Sequence, residues 1–244
     1  MWRIMINTEA IPNMPNTMRV QSIFSKKQQS IGSAAFVLAT MVFVSRALGL
    51  VRDRLLVMYF KPEELGVYFA AFRLPNLLFE LLVMGALTTA FVPVYTRYLT
   101  KREEKAAHTM ASAIINLGLF VLSVILIPVL LWTQEISRLL APGFSEDQIK
   151  LMAMFTRFIL LLQVGPLMVG NFFTGILQSY NLFLVPALAP VVYNLGIIAS
   201  IFVFTPAYGL LAPILGVGIG AMLFMFIQLP LLMYVGYRHV LSWN

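Results

Sequence analysis

Cysteine is absent from this 244-residue chain, so disulfide frameworks, cysteine metal sites and thiol catalysis are excluded. Charge is scarce: Asp, Glu, Lys and Arg make up 11% of residues, against roughly 25% in a soluble globular domain. Histidine occurs twice, as His108 and His239, in separate segments at the ends of apolar runs, where each is expected to be solvated. There is no HExxH, no GxSxG, no Walker loop and no Asp-rich cluster, so no enzyme signature and no metal or cofactor site is expected. What fills the chain is apolar. Hydrophobic residues reach 60% and the mean hydropathy is +0.86, which implies an all-α, polytopic membrane protein.

Six segments are long and apolar enough to span a bilayer, at about 31–60, 65–95, 108–132, 149–179, 183–204 and 210–237. They predict a six-helix transmembrane bundle over 31–244, preceded by a cytoplasmic extension over 1–30. In the connection "APGFSEDQIK", Ser145 stands as an N-cap before Glu146 and Asp147. "GVGIG" places Gly216 and Gly220 at small-xxx-small spacing, a weak packing signal. Lys26, Lys27, Arg97, Lys101, Arg102, Lys105 and Arg238 fall on one side of the predicted membrane. On the other side Lys61, Arg138 and Lys150 are offset by nearby acids, so both termini are expected in the cytoplasm. The net charge of +7 is read as contact with anionic lipid and as buried arginines, and no nucleic-acid partner is expected.

Those arginines are the unusual feature. "SRALGLVRDR" puts Arg46, Arg52, Asp53 and Arg54 inside the first span; Arg73 and Glu80 fall in the second and Arg157 in the fourth. Each charge costs about 2.5–3.5 kcal/mol at membrane depth, so such groups face a cavity or a partner. Arg46 and Asp53 are seven residues apart, as are Arg73 and Glu80. On antiparallel helices this spacing predicts Arg46 opposite Glu80 and Asp53 opposite Arg73. Two readings follow. In one, the arginines snorkel or take carbonyls and only hold helices together. In the other, a net-positive cavity binds an anionic substrate, the planar guanidinium fork suiting phosphate.

"SRALGLVRDR", "YFAAFRLPNLLFELLVMGALTTAFVPVYTRYL", "LLAPGF" and "GILQSYNLFLVPALAPVVYNLGII" together resemble the N-terminal half of the MurJ/MviN family of lipid II flippases. The resemblance implies one lobe of a two-lobe flippase in the inner membrane. Such a protein exports a lipid-linked pyrophosphate, the peptidoglycan precursor, by alternating access. It implies that Arg46 and Arg52 line the cavity, with Asp53 completing their motif, and that Arg73 and Asn76 join them in binding substrate; the buried-charge reading adds Arg157 as a candidate. Partners would be membrane lipid and a second lobe, supplied by another chain or by a second copy. A non-transporting scaffold in cell-wall assembly, or an exporter of another lipid-linked oligosaccharide, is the alternative. The chain departs from the family pattern at Phe79 and Glu80, where a basic pair is usual, at Met84, where an acid precedes Gly85, and at Gly66.

Overall fold

The computed structural model describes residues 31–81 and 91–240. The expected extension over 1–30 lies outside the described residues, as do Met84 and Gly85. Every regular element among the described residues is helical, the form in which an open chain satisfies its own backbone inside lipid. Five stretches are long and apolar enough to cross a membrane: Ala35–Tyr59, Glu104–Leu131, Glu146–Ser179, Leu184–Tyr208 and Leu211–Tyr234. They correspond to the first and the third to sixth expected spans.

The first span is α1 (Ile31–Tyr59), 29 residues without a break. The second is not one helix. It runs as α2 (Pro62–Ala71) and α3 (Arg73–Phe79), and α4 (Val92–Thr100) follows residues 82–90. The cause of the break at Phe72 is Pro75, which has no N–H to give and crowds the carbonyl of Ala71 one turn back. That carbonyl is satisfied from outside, by the Thr156 hydroxyl at 3.1 Å.

α5 (Glu104–Leu131) and α6 (Thr133–Leu140) follow. α7 (Glu146–Ile159) begins where the sequence places it. The Ser145 Oγ accepts from the Gln148 N–H at 3.4 Å, and the Gln148 side chain accepts from the Ser145 N–H at 2.9 Å. α7 continues through a π turn (Leu160–Val164) into α8 (Gly165–Ser179). Here too proline explains the irregularity. Pro166 cannot bond the Leu162 carbonyl, and a turn widened by one residue relieves the clash.

α9 (Leu184–Tyr208) and α10 (Leu211–Phe226) form the closest pair, and α11 (Leu229–Tyr234) ends the described helices. The small-xxx-small spacing is used at this contact. A Cβ on Gly220 would sit 2.5 Å from the Tyr193 carbonyl oxygen, and one on Gly216 would sit 2.6 Å from the Ser200 Cβ.

The buried core divides into two clusters. One joins Leu56, Tyr68, Ala141, Phe155, Ile197 and Ile214. The other joins Tyr95, Ala107, Leu160, Ile176, Val185 and Leu231. The connections near residues 61, 141–145 and 209 belong with the first cluster, and those near 101–103 and 180–183 with the second. Connections therefore alternate between two ends of the bundle, as successive membrane crossings require. At the first end the charges offset each other directly: Arg138 and Glu146 pair at 2.7 Å, and Lys150 and Asp147 at 3.6 Å.

Candidate functional site

The first-span motif meets α9 through one buried amide. Asn194 is 7% exposed. Its Nδ2 donates to the Ser45 carbonyl at 3.3 Å, the Ser45 Oγ at 3.2 Å and the Pro190 carbonyl at 3.1 Å. Its Oδ1 accepts from Arg52 Nη1 at 3.2 Å. The rest of the Arg52 guanidinium turns to its neighbour: Nε and Nη2 reach the same Asp53 oxygen at 3.0 and 2.8 Å. Each polar group of the cluster has a partner, which is the condition for keeping charge at this depth.

The pairing expected from the seven-residue spacings takes a different form. Asp53 binds Arg52 rather than Arg73, and Arg73 donates instead to the Leu140 carbonyl. The matching of depths assumed one straight helix from the turn near Lys61 to Glu80, and the break at Phe72 interrupts it ahead of Arg73. Arg46 and Glu80 form no ion pair among the described residues. Arg157 Nε donates to the Leu130 carbonyl at 3.3 Å.

Beside the Asn194 cluster lies a cavity of about 610 Å³. Its wall is built from α1, α3, the π turn, α8, α9 and Phe224 of α10. Among the described residues, Arg46 is the one charged side chain on that wall. Arg46 is exposed, as is Asn76 on the facing α3, and both border the cavity. Arg52 stands behind it, reaching the wall through Asn194 and Ser45. Arg73 and Arg157 do not border it.

The remaining polar wall comes from one helix face. Gln163, Asn171, Thr174 and Gln178 all line the cavity. Their spacing follows the helical repeat, so they form a row along the π turn and α8. Gln163 is 8% exposed; its Nε2 donates to the Tyr193 hydroxyl at 3.3 Å, and its Oε1 is buried without a partner. Turning the amide over only exchanges which atom is orphaned. Such a group costs about 1–3 kcal/mol unsatisfied. The π turn sets it there, since a regular turn would carry residue 163 to a different angle. Sequence reading by charge passed over this row; its signal is four neutral polar residues at helical spacing inside an apolar span.

Comparison with known proteins identifies the lineage. The family model for the lipid II flippase MurJ matches residues 64–244. The chain belongs to the MurJ family. Curated members include the probable lipid II flippase MurJ of Borreliella burgdorferi, 26% identical over 196 residues, covering 80% of this chain and 38% of that protein. The lipid II flippase MurJ of Thermosipho africanus is 32% identical over 195 residues, covering 80% of this chain and 39% of its own. A solved structure of lipid II flippase MurJ, in an inward closed conformation, superposes with a TM-score of 0.69 at 26% identity. It covers 85% of this chain and 44% of that one. The chain therefore spans about 38% of the length of the curated relatives it matches. MurJ membership and the five apolar helices make it a multi-pass inner-membrane protein of a flippase family rather than an enzyme family.

The chain also gathers a polar network that the sequence did not suggest. His108 and His239, 131 positions apart by number, are joined through Tyr237. His108 stacks edge-on to the Tyr237 ring at 5.5 Å, and the Tyr237 hydroxyl lies 3.1 Å from His239 Nδ1. His239 Nε2 reaches Asn116 Oδ1 at 2.9 Å, and the Val240 N–H donates to Ser112 Oγ at 3.1 Å. Neither histidine is simply solvated: together they tie residues 237–240 back onto α5. Partial burial pulls the pKa of His239 below the ordinary histidine value.

Proposed function

We propose that the chain is the N-terminal lobe of a flippase that exports lipid II, the lipid-linked peptidoglycan precursor, across the inner membrane by alternating access. The observation that carries this reading is the placing of Arg46 as the single charge, among the described residues, on a largely apolar cavity wall within the first span. A lone guanidinium there is costly unless an anion completes it, and its fork suits a pyrophosphate. Asn76 adds a neutral hydrogen-bonding group across the cavity, and Arg52, braced by Asp53 and Asn194, adds positive potential from behind. Arg73 and Arg157 take backbone carbonyls and contribute less. Arg46 and Asn76 are exposed, and the chain spans about 38% of its relatives' length. Both facts favour a second lobe closing over this face. The Lys and Arg asymmetry favours both termini in the cytoplasm.

Depletion of the chain in its native cell tests the reading. Lipid-linked precursors are quantified on each leaflet, and lipid II is expected to accumulate on the inner one. An unchanged distribution would contradict it.

A further inference from the structure

The cavity is chemically one-sided along its length. Two hydrogen bonds fix its register. Asn194 holds Ser45, the neighbour of Arg46, at 3.2 Å, and Tyr193 holds Gln163 at 3.3 Å. Residues 193 and 194 are adjacent on α9, so Arg46 and Gln163 stand at the same end. The wall then runs along α8 away from that end through Asn171 to Gln178, about 16 Å from residue 167 to 178 at the helical rise. The far end lies beside the short turn between α8 and α9, with Gln178 and Pro186 on its wall. No charged side chain stands there among the described wall residues.

Part of the hydrogen-bonding capacity of this row is unused; the Thr174 hydroxyl is spent on Gln228 Oε1 at 3.0 Å. The Gln178 amide makes no side-chain hydrogen bond among the described residues. Asn171 uses one amide proton on the Leu167 carbonyl at 2.7 Å, and its Oδ1 has no hydrogen-bond partner among the described residues. The Gln163 Oε1, in a residue more than nine-tenths buried, is orphaned at the cavity wall. Free amides in a membrane-embedded cavity match a ligand portion that is rich in hydroxyl and amide groups and carries no charge.

We infer that the cavity fixes the orientation of its ligand: phosphate is held at the Arg46 end, and an uncharged, hydroxyl- and acetamido-bearing sugar lies along the Asn171–Gln178 row. This rests on the proposed function and adds to it a residue-level division of labour. Gln178 is the decisive position because its side chain has no hydrogen bond to lose among the described residues.

The test uses the purified full chain in lipid nanodiscs and two probes, undecaprenyl pyrophosphate and the same lipid carrying one N-acetylated sugar. Arg46→Ala should weaken both probes alike. Gln178→Leu should weaken the glycosylated probe by about five-fold, the worth of one hydrogen bond, and leave the bare pyrophosphate within two-fold. Asn171→Leu should follow the same pattern. Melting temperatures of the variants show that each folds. If Arg46→Ala weakens both probes while Gln178→Leu and Asn171→Leu discriminate between neither, the orientation is wrong and the proposed function stands. If neither probe binds the unaltered chain, the orientation falls, while the proposed function is decided separately by the depletion experiment.

Discussion

Arg52 Nη1 lies 3.2 Å from Asn194 Oδ1, across 142 positions of sequence, while Arg46, about 1.7 turns earlier, has no such tether among the described residues. Two arginines of one motif thus stand in different situations. The first prediction separates them. Arg46→Ala should leave the melting temperature unchanged and abolish complementation of a depleted cell. Arg52→Ala should do both kinds of damage, costing about 1–3 kcal/mol because Asn194 and Asp53 lose their partner. Lys at position 46 should restore part of the activity, lacking the bidentate fork. Equal losses of stability in both alanine variants would show that Arg46 is structural as well.

The α9–α10 contact makes a stability prediction. Gly220→Ala would bring a methyl to 2.5 Å of a backbone oxygen that cannot easily give way. Gly118→Ala would meet only the end of the Met168 side chain, at 3.5 Å. Thermal unfolding in detergent should show a loss of about 1–3 kcal/mol for the first and little change for the second.

Much of this lobe was legible in the sequence, and the failures have physical causes. Apolar length found five of the six expected spans as membrane-length helices, and capping chemistry found Ser145, because both act locally. The break at Phe72 follows from Pro75, yet its consequence was tertiary. Arg73 was redirected to Leu140, and Asp53 was left to the nearest cation, its own neighbour Arg52. Charge drew the eye to Arg157, which takes a carbonyl, while the neutral row from Gln163 to Gln178 supplies more of the cavity wall. The link between His108 and His239 depends on residues 237–240 folding back, which no local pattern announces.

That link predicts a pH dependence. His239 has its pKa lowered by burial, so the fold favours the neutral ring. The unfolded chain takes up the proton first as pH falls. The contribution is therefore complete above the ordinary histidine value of about 6.5 and is lost as pH drops below it. Melting temperature should fall between pH 7 and pH 5, and His239→Gln should flatten that slope. Identical slopes would remove the effect.

Sidedness is open to labelling. Cysteines placed at Glu63, Ser145 and Ala207 should react with an impermeant reagent added outside intact cells, and one at Glu103 should not. All four positions are exposed. Labelling of Glu103 alone would reverse the orientation.

The central claim is that this cavity holds a lipid-linked pyrophosphate, and photocrosslinking in native membranes tests it most directly. A photoreactive residue replaces Phe79 or Leu38 on the cavity wall, or Ile127, which is 62% exposed on α5 and does not border the cavity. Mass analysis of the adducts should find lipid-linked pyrophosphate attached at positions 79 and 38, and only ordinary phospholipid at 127. Phospholipid alone at all three positions would contradict the account.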